Sequence, residues 1–454
     1  MITSPPGAAQ QPAGQHARAQ KTTRRNAVGG RLTATTPRRI AVLMVALVLL
    51  SLGWGALGAW TASLHASAAA GVVRTSEPLT LEARQMYQAL SDADVTATTA
   101  FLAGPTERLA ARQRYQGDIA RAGAEVSALR NATASASSPL SASLSAVSAG
   151  LPVYTGYVEE ARAESALGYP LTGGSFMQVA SAQMHLTLLP AARAVYTQES
   201  ARLTARSAQA TGLPWVAAAL IFSVLLALLL FRAQRWLTRR TRRIVNFGLL
   251  GATVLLTVAA VWLLAAFAVA RADLQRAESH GSVPEQALDQ AAINVQRARG
   301  DEALNLISRS GSTSFQGDFT AARRQIGPGS GSLLGAAAGA SAGQREAGLV
   351  ATAGRDAQAW YAVSARIFSL DLAANYTAET HLVIGSGPGS STPYFTRLEG
   401  DLGRAIAADQ SVFSAGARSA ASAFDGLAIA FLVAAVLMAA GCAWGLSQRL
   451  AEYQ

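Results

Sequence analysis

Four apolar runs without a single charge constrain this chain more than anything else in it: Ile40–Trp60, Leu213–Phe231, Ile244–Ala270 and Gly426–Leu446. At about 1.5 Å per residue each is long enough to cross roughly 30 Å of hydrocarbon. Because no water reaches the backbone there, each run must satisfy its own hydrogen bonds as a helix. The first run has an apolar core too long, and a basic leader too extended, for a cleaved signal peptide, although Thr61–Ala70 is rich in small residues.

Charge orients these helices. The leader, the stretch Arg232–Arg243 and the tail after Leu446 together hold fourteen Lys and Arg against one acid, Glu452. Segment 63–213 balances 11 Arg against 11 acids, and 271–425 sets 13 Arg against 15 acids. The positive-inside rule puts the basic face in the cytoplasm. The net charge of +11 therefore sits beside membrane runs, and nucleic acid is not an expected partner. The expected division is a disordered basic cytoplasmic leader (1–39), a first span (40–60), an extracytoplasmic domain (61–212), a second span (213–231), an arginine-rich cytoplasmic hairpin (232–243), a third span (244–270), a second extracytoplasmic domain (271–425), a fourth span (426–446) and a short cytoplasmic tail (447–454).

The two outer segments read as copies. Gln116-Gly117-Asp118 and Gln316-Gly317-Asp318 stand 200 residues apart, and Ala89-Leu90 recurs at Ala287-Leu288. Stretches rich in small residues follow each copy, at Asn131–Gly150 and Gly327–Gly343. Apolar residues recur at helical spacing in Met86, Leu90, Ala93, Ala97, Phe101, and again in Leu398, Leu402, Ile406, Phe413. Breaks are expected near Gly104-Pro105, at Gly168-Tyr169-Pro170, near Gly311-Ser312, at Ala374-Asn375 and at Gly385–Pro393, besides the two small-residue stretches. The fold class is thus all-α: four transmembrane helices with two extracytoplasmic four-helix bundles in tandem repeat, the first and last helix of each bundle running into the membrane.

Chemistry is sparse. The five histidines are scattered, no metal-type cysteine spacing or nucleotide loop occurs, and Gly385–Ser390 lacks the Lys-Ser/Thr of a phosphate loop. The chain is expected to be no enzyme and to need no cofactor or metal. Asp118 and Asp318 read first as local helix geometry and second as contacts for a ligand. Cys442 lies in the last apolar run and leaves the outer segments without a disulfide. The spans carry no ionisable residue, which argues against a transport path. Arg239, Arg240, Arg242 and Arg243 are the candidate contacts for an acidic partner or anionic lipid, beside their role in topology.

With its duplicated helix–domain–helix unit, its arginine-rich centre, the repeated Gln-Gly-Asp and the tail Trp444–Gln454, the chain from about residue 38 onward resembles the actinobacterial GlnX-type membrane proteins. The resemblance implies a non-enzymatic transducer between an extracytoplasmic amino-acid-binding lipoprotein and a cytoplasmic Ser/Thr protein kinase, reporting glutamate, aspartate or glutamine availability. It brings no catalytic or ligand residues. Two alternatives stand beside it: a direct receptor that holds a carboxylate with arginines between the outer helices, and a structural membrane scaffold. Oligomeric state is left open.

Overall fold

The computed structural model describes residues 36–104, 109–133, 138–241, 246–308, 313–327, 329, 331–341 and 343–451. The leader to residue 35, Pro105, Gly311-Ser312, Arg242, Arg243 and the last three residues of the tail lie outside them. Among the described residues all regular structure is helical and no strand occurs. The helices are α1 (Thr36–Gly71), α2 (Glu77–Leu102), α3 (Leu109–Ala132), α4 (Ser138–Ala166), α5 (Pro170–Gln183), α6 (Leu189–Ala210), α7 (Pro214–Thr241), α8 (Phe247–Ala277), α9 (Val283–Ser308), α10 (Thr313–Ile326), α11 (Leu333–Ala340), α12 (Gln344–Leu372), α13 (Tyr376–Ile384), α14 (Ser391–Ser422) and α15 (Leu427–Ala451).

Four helical stretches contain windows long and apolar enough to span a membrane, within Ala41–Leu102, Pro170–Arg239, Phe247–Ser308 and Ser391–Gln448. They account for α1, α7, α8 and α15. Close packing of small residues joins them: a methyl added at Gly55 of α1 would overlap the Ala435 side chain of α15, and one at Gly248 of α8 would overlap the Gly441 backbone. Such small-residue contacts let helix backbones approach where lipid removes any hydrophobic drive. Trp54 Nε1 donates to Ser223 Oγ at 2.7 Å, tying α1 to α7 inside the bundle. Trp60 and Trp215 meet edge to face 4.6 Å apart at the other end of the same pair, as interfacial aromatics do.

Helices running outward from the spans differ from those returning. α1 passes into α2 through a π-helical turn at Val72–Ser76, and α8 into α9 through another at Glu278–Ser282. A third, Met184–Leu188, joins α5 to α6. Each precedes a proline by one residue: Pro78, Pro284 and Pro190. A proline inside a helix lacks its N–H and crowds the carbonyl four residues back, and a wide turn relieves both without ending the helix. The residue before each proline instead donates five back, as Glu77 does to Val72. The returning helices are broken. α6 ends at Ala210 and α7 starts at Pro214, across Gly212; α14 ends at Ser422 and α15 starts at Leu427, across Gly426 with φ +74°. The expectation that both ends of each outer bundle run straight into the membrane therefore holds for the outgoing helices and is corrected for the returning ones.

Beyond the spans, α2, α3, α4 and the α5–α6 rod close around one apolar core that includes Met86, Leu90, Leu129, Leu144, Tyr154 and Met177. A second core is shared by α9, α10, α11, α12 and α14 around Trp360, Phe319, Leu398 and Leu402. Helix α11 corrects the reading of Gly327–Gly343 as pure linker: Ser332 caps it by accepting from Gly335 N, and Leu334 and Ala337 are buried. The break at Ala374-Asn375 is present, with Ala374 at φ +56° and Asn375 capping α13. α2 packs along α9, so the two cores lie side by side.

Candidate functional site

Among the described residues, much of the buried charge lies on α2 and α9 and on the helices packed against them. Nearest the spans, Arg84 Nη1 of α2 bonds Glu285 Oε1 at 2.6 Å and lies 3.6 Å from Asp289 Oδ1, both on α9. Tyr196 of α6 donates to Asp289 Oδ2 at 3.0 Å, and Arg84 Nη2 to Gln410 of α14 at 3.2 Å. One guanidinium thus serves two carboxylates, with a third, Asp409, buried close by and without a hydrogen-bond partner. Burial pushes Glu285 up to about 8, against the pull of Arg84 and with the help of Asp289 and Asp409. Burial likewise raises Asp289 to about 6, with Arg84 opposing.

Two turns further along, Gln296 of α9 donates its amide to Asp92 of α2 and to Glu399 of α14, the latter at 2.9 Å. Burial, then the charges of Glu399 and Asp118, raise Asp92 to about 7. On the other side of α2, Asp94 Oδ2 accepts from Ser181 at 2.9 Å and from His185 Nε2 at 3.0 Å. His185 stands in the π-turn between α5 and α6. Burial lowers its pKa, but the hydrogen bond and charge of Asp94, joined by Asp301 of α9, raise it further. Asp301 is pushed to about 7 by burial, with His185 and Arg297 opposing. A cavity of about 200 Å³ opens here between α2, α6 and α9.

At the membrane-distal end, Arg299 and Glu302 form a buried pair on α9. Arg299 also donates to Ser391 at 2.7 Å and to the Val383 carbonyl at 2.9 Å, while Ser364 and Ser391 donate to Glu302. Trp360 Nε1 closes the network on Ser391 at 2.8 Å. Such a satisfied network specifies packing within the second core. Beside it lies a cleft of about 1110 Å³ between α2, α3, α13 and the start of α14, with Arg114, Thr96, Thr377 and His381 in its walls.

The repeated Gln-Gly-Asp falls within α3 and α10 in midhelix, and a Cβ at Gly117 or Gly317 would meet nothing. Neither glycine is demanded by close packing. Asp118 is buried and pairs with Arg121 at 3.6 Å, whereas Asp318 is exposed. Of the candidate arginines, Arg239 is exposed on the last turns of α7 and Arg240 belongs to the same helix; the hairpin read over 232–243 is helical through Thr241. Arg242 and Arg243 lie outside the described residues. Arg239, at the end of α7, does not join the α2–α9 junction.

Sequence reasoning missed this junction because its partners are about 200 residues apart. A signal was present: Asp94, Asp289 and Arg299 interrupt otherwise apolar helical faces, where unpaired charge is costly. Among the described residues no group of three or more His, Cys, Asp or Glu is placed to hold a metal ion. No curated protein and no solved structure matches the chain. Residues 68–208, which supply α2 to α6 and with them Arg84, Asp92, Asp94 and His185, match the model of an actinobacterial sensor domain, so this half of the junction is similar to a domain that senses.

Proposed function

We propose that the chain is a non-enzymatic transmembrane signal transducer. Its two outer helical domains lie outside the cytoplasmic membrane, on the charge asymmetry of the sequence, and report conditions there to the inner face. The observation that carries this reading is the continuity of α1–α2 and α8–α9, each 62 residues or about 90 Å from span to tip, with the buried charge of the junction between them. A change in how α2 packs on α9 is delivered along both rods as a shift of roughly an ångström or two. The matching positions of Pro78 and Pro284, and of the following helices, support an origin by duplication of one unit.

For the identity of the signal the support is the resemblance of the sequence to the GlnX-type proteins. On that basis an amino-acid-binding lipoprotein docks outside, a Ser/Thr kinase is addressed inside, and amino-acid availability is the message. Arg239 and its neighbours provide the basic inner surface. The test is phosphorylation of the kinase's targets in cells as external glutamate or aspartate is varied. The response should vanish on deletion of this chain and return on complementation. A response that survives deletion contradicts the relay.

A further inference from the structure

The cavity between α2, α6 and α9 is unevenly charged. Arg193 of α6 and Arg297 of α9 both line it, and both act electrostatically on the Tyr87 hydroxyl in the same wall. Arg193 bonds the neutral amide of Gln290 at 3.1 Å, and Arg297 makes no hydrogen bond or ion pair among the described residues. Asp94, the carboxylate in the lining, is engaged by Ser181 and His185, and Asp301 offsets part of the Arg297 charge from outside the cavity. Gln296 lines the same space, its Nε2 donating to Asp92 and Glu399.

Two guanidiniums call for an anion, and their planar donor pairs match a carboxylate. Water fills roughly 30 Å³ per molecule in the liquid, so about 200 Å³ suits an occupant that displaces several waters. We propose that this cavity is a receptor site for a small organic carboxylate. Its carboxylate lies between Arg193 and Arg297, and it thereby ties α6 of one half to α9 of the other. The proposal rests on the transducer reading and gives it a direct chemical input that needs no docked protein.

The test is calorimetry on the full chain in lipid nanodiscs, with malate, glutamate and inorganic phosphate as probes. Malate or glutamate should bind one to one. The double variant Arg193→Gln/Arg297→Gln should bind it more weakly by roughly tenfold or more, as the loss of charged hydrogen bonds implies. Its melting curve should match the unaltered protein, and Arg355→Gln, exposed on α12, should leave binding unchanged. Phosphate binding without either carboxylate, binding undiminished in the double variant, or no binding of any probe to the folded protein would each overturn the proposal. The cellular phosphorylation response separates this failure from that of the transducer: its persistence without binding leaves the transducer standing, and its absence despite binding removes only the transducer.

Discussion

The helices that leave the membrane and those that return to it meet the same problem with opposite solutions. Pro78 and Pro284 interrupt α1–α2 and α8–α9, yet a π-turn absorbs each and the rods continue. Gly212-Leu213-Pro214 and Gly426 interrupt the returning α6–α7 and α14–α15, and there the helix stops. A proline met in midhelix can be widened around. One that follows a glycine, or a glycine held at positive φ, ends the helix. The outgoing helices are also those that meet at the buried charge, so the elements able to carry displacement are the ones that would feel it.

The largest expected contrast is one of burial. Arg299→Met leaves Glu302 buried without its cation and should cost about 3–5 kcal/mol, whereas Arg112→Met removes a pair about half exposed on both sides and should cost under about 1 kcal/mol. Thermal unfolding in nanodiscs compares the two; equal losses would mean that the distal network is not shielded from water. In the membrane, Gly55→Leu overlaps α15 and should cost about 1–3 kcal/mol or separate the helices, while Gly53→Leu meets open space and should be nearly neutral.

A smaller effect comes from pH. Glu285, Asp92, Asp301 and Asp289 have folded pKa values of about 8, 7, 7 and 6, above the ordinary carboxylate value near 4. The folded junction then binds more protons than the unfolded chain. Its contribution is complete below about pH 4 and is lost as pH rises through about 6 to 8. The α2–α9 contact should therefore loosen from pH 5 to pH 8.5, read as faster amide exchange in both helices, and Glu285→Gln should flatten that dependence. Exchange that slows with rising pH, after correction for its intrinsic rate, would reverse the assignment.

Much of the fold was legible and the junction was not, for physical reasons. A span announces itself locally, because some twenty consecutive residues without a charge are the length and chemistry that hydrocarbon demands. The breaks at Gly168-Tyr169-Pro170 and Ala374-Asn375 were legible from turn-forming residues. α11 was hidden because Leu333–Ala340 is mostly alanine and glycine, and only the Ser332 cap and the two buried side chains distinguish it from linker. The π-turns had a local cue in three prolines, each within an apolar helical pattern. Arg84 and Glu285 had none, since a pair formed across 201 residues leaves no spacing to read.

Orientation has a direct assay. Alkaline phosphatase fused after residue 150 or 340 should be active and after 240 inactive, and an active fusion at 240 would overturn the layout.

The central claim is that displacement travels along the continuous rods and not through the broken returns. Spin labels at Val42→Cys and Leu250→Cys, exposed near the N-terminal ends of α1 and α8, report it in a Cys442→Ala background. Shifting pH from 5 to 8.5 perturbs the junction, and the account predicts a change of about 1–2 Å between the labels. Three glycines inserted after Gly71 should abolish that change, and the same insertion after Gly212 should preserve it. A change that survives the broken rod, or disappears when only the return is lengthened, would contradict the account.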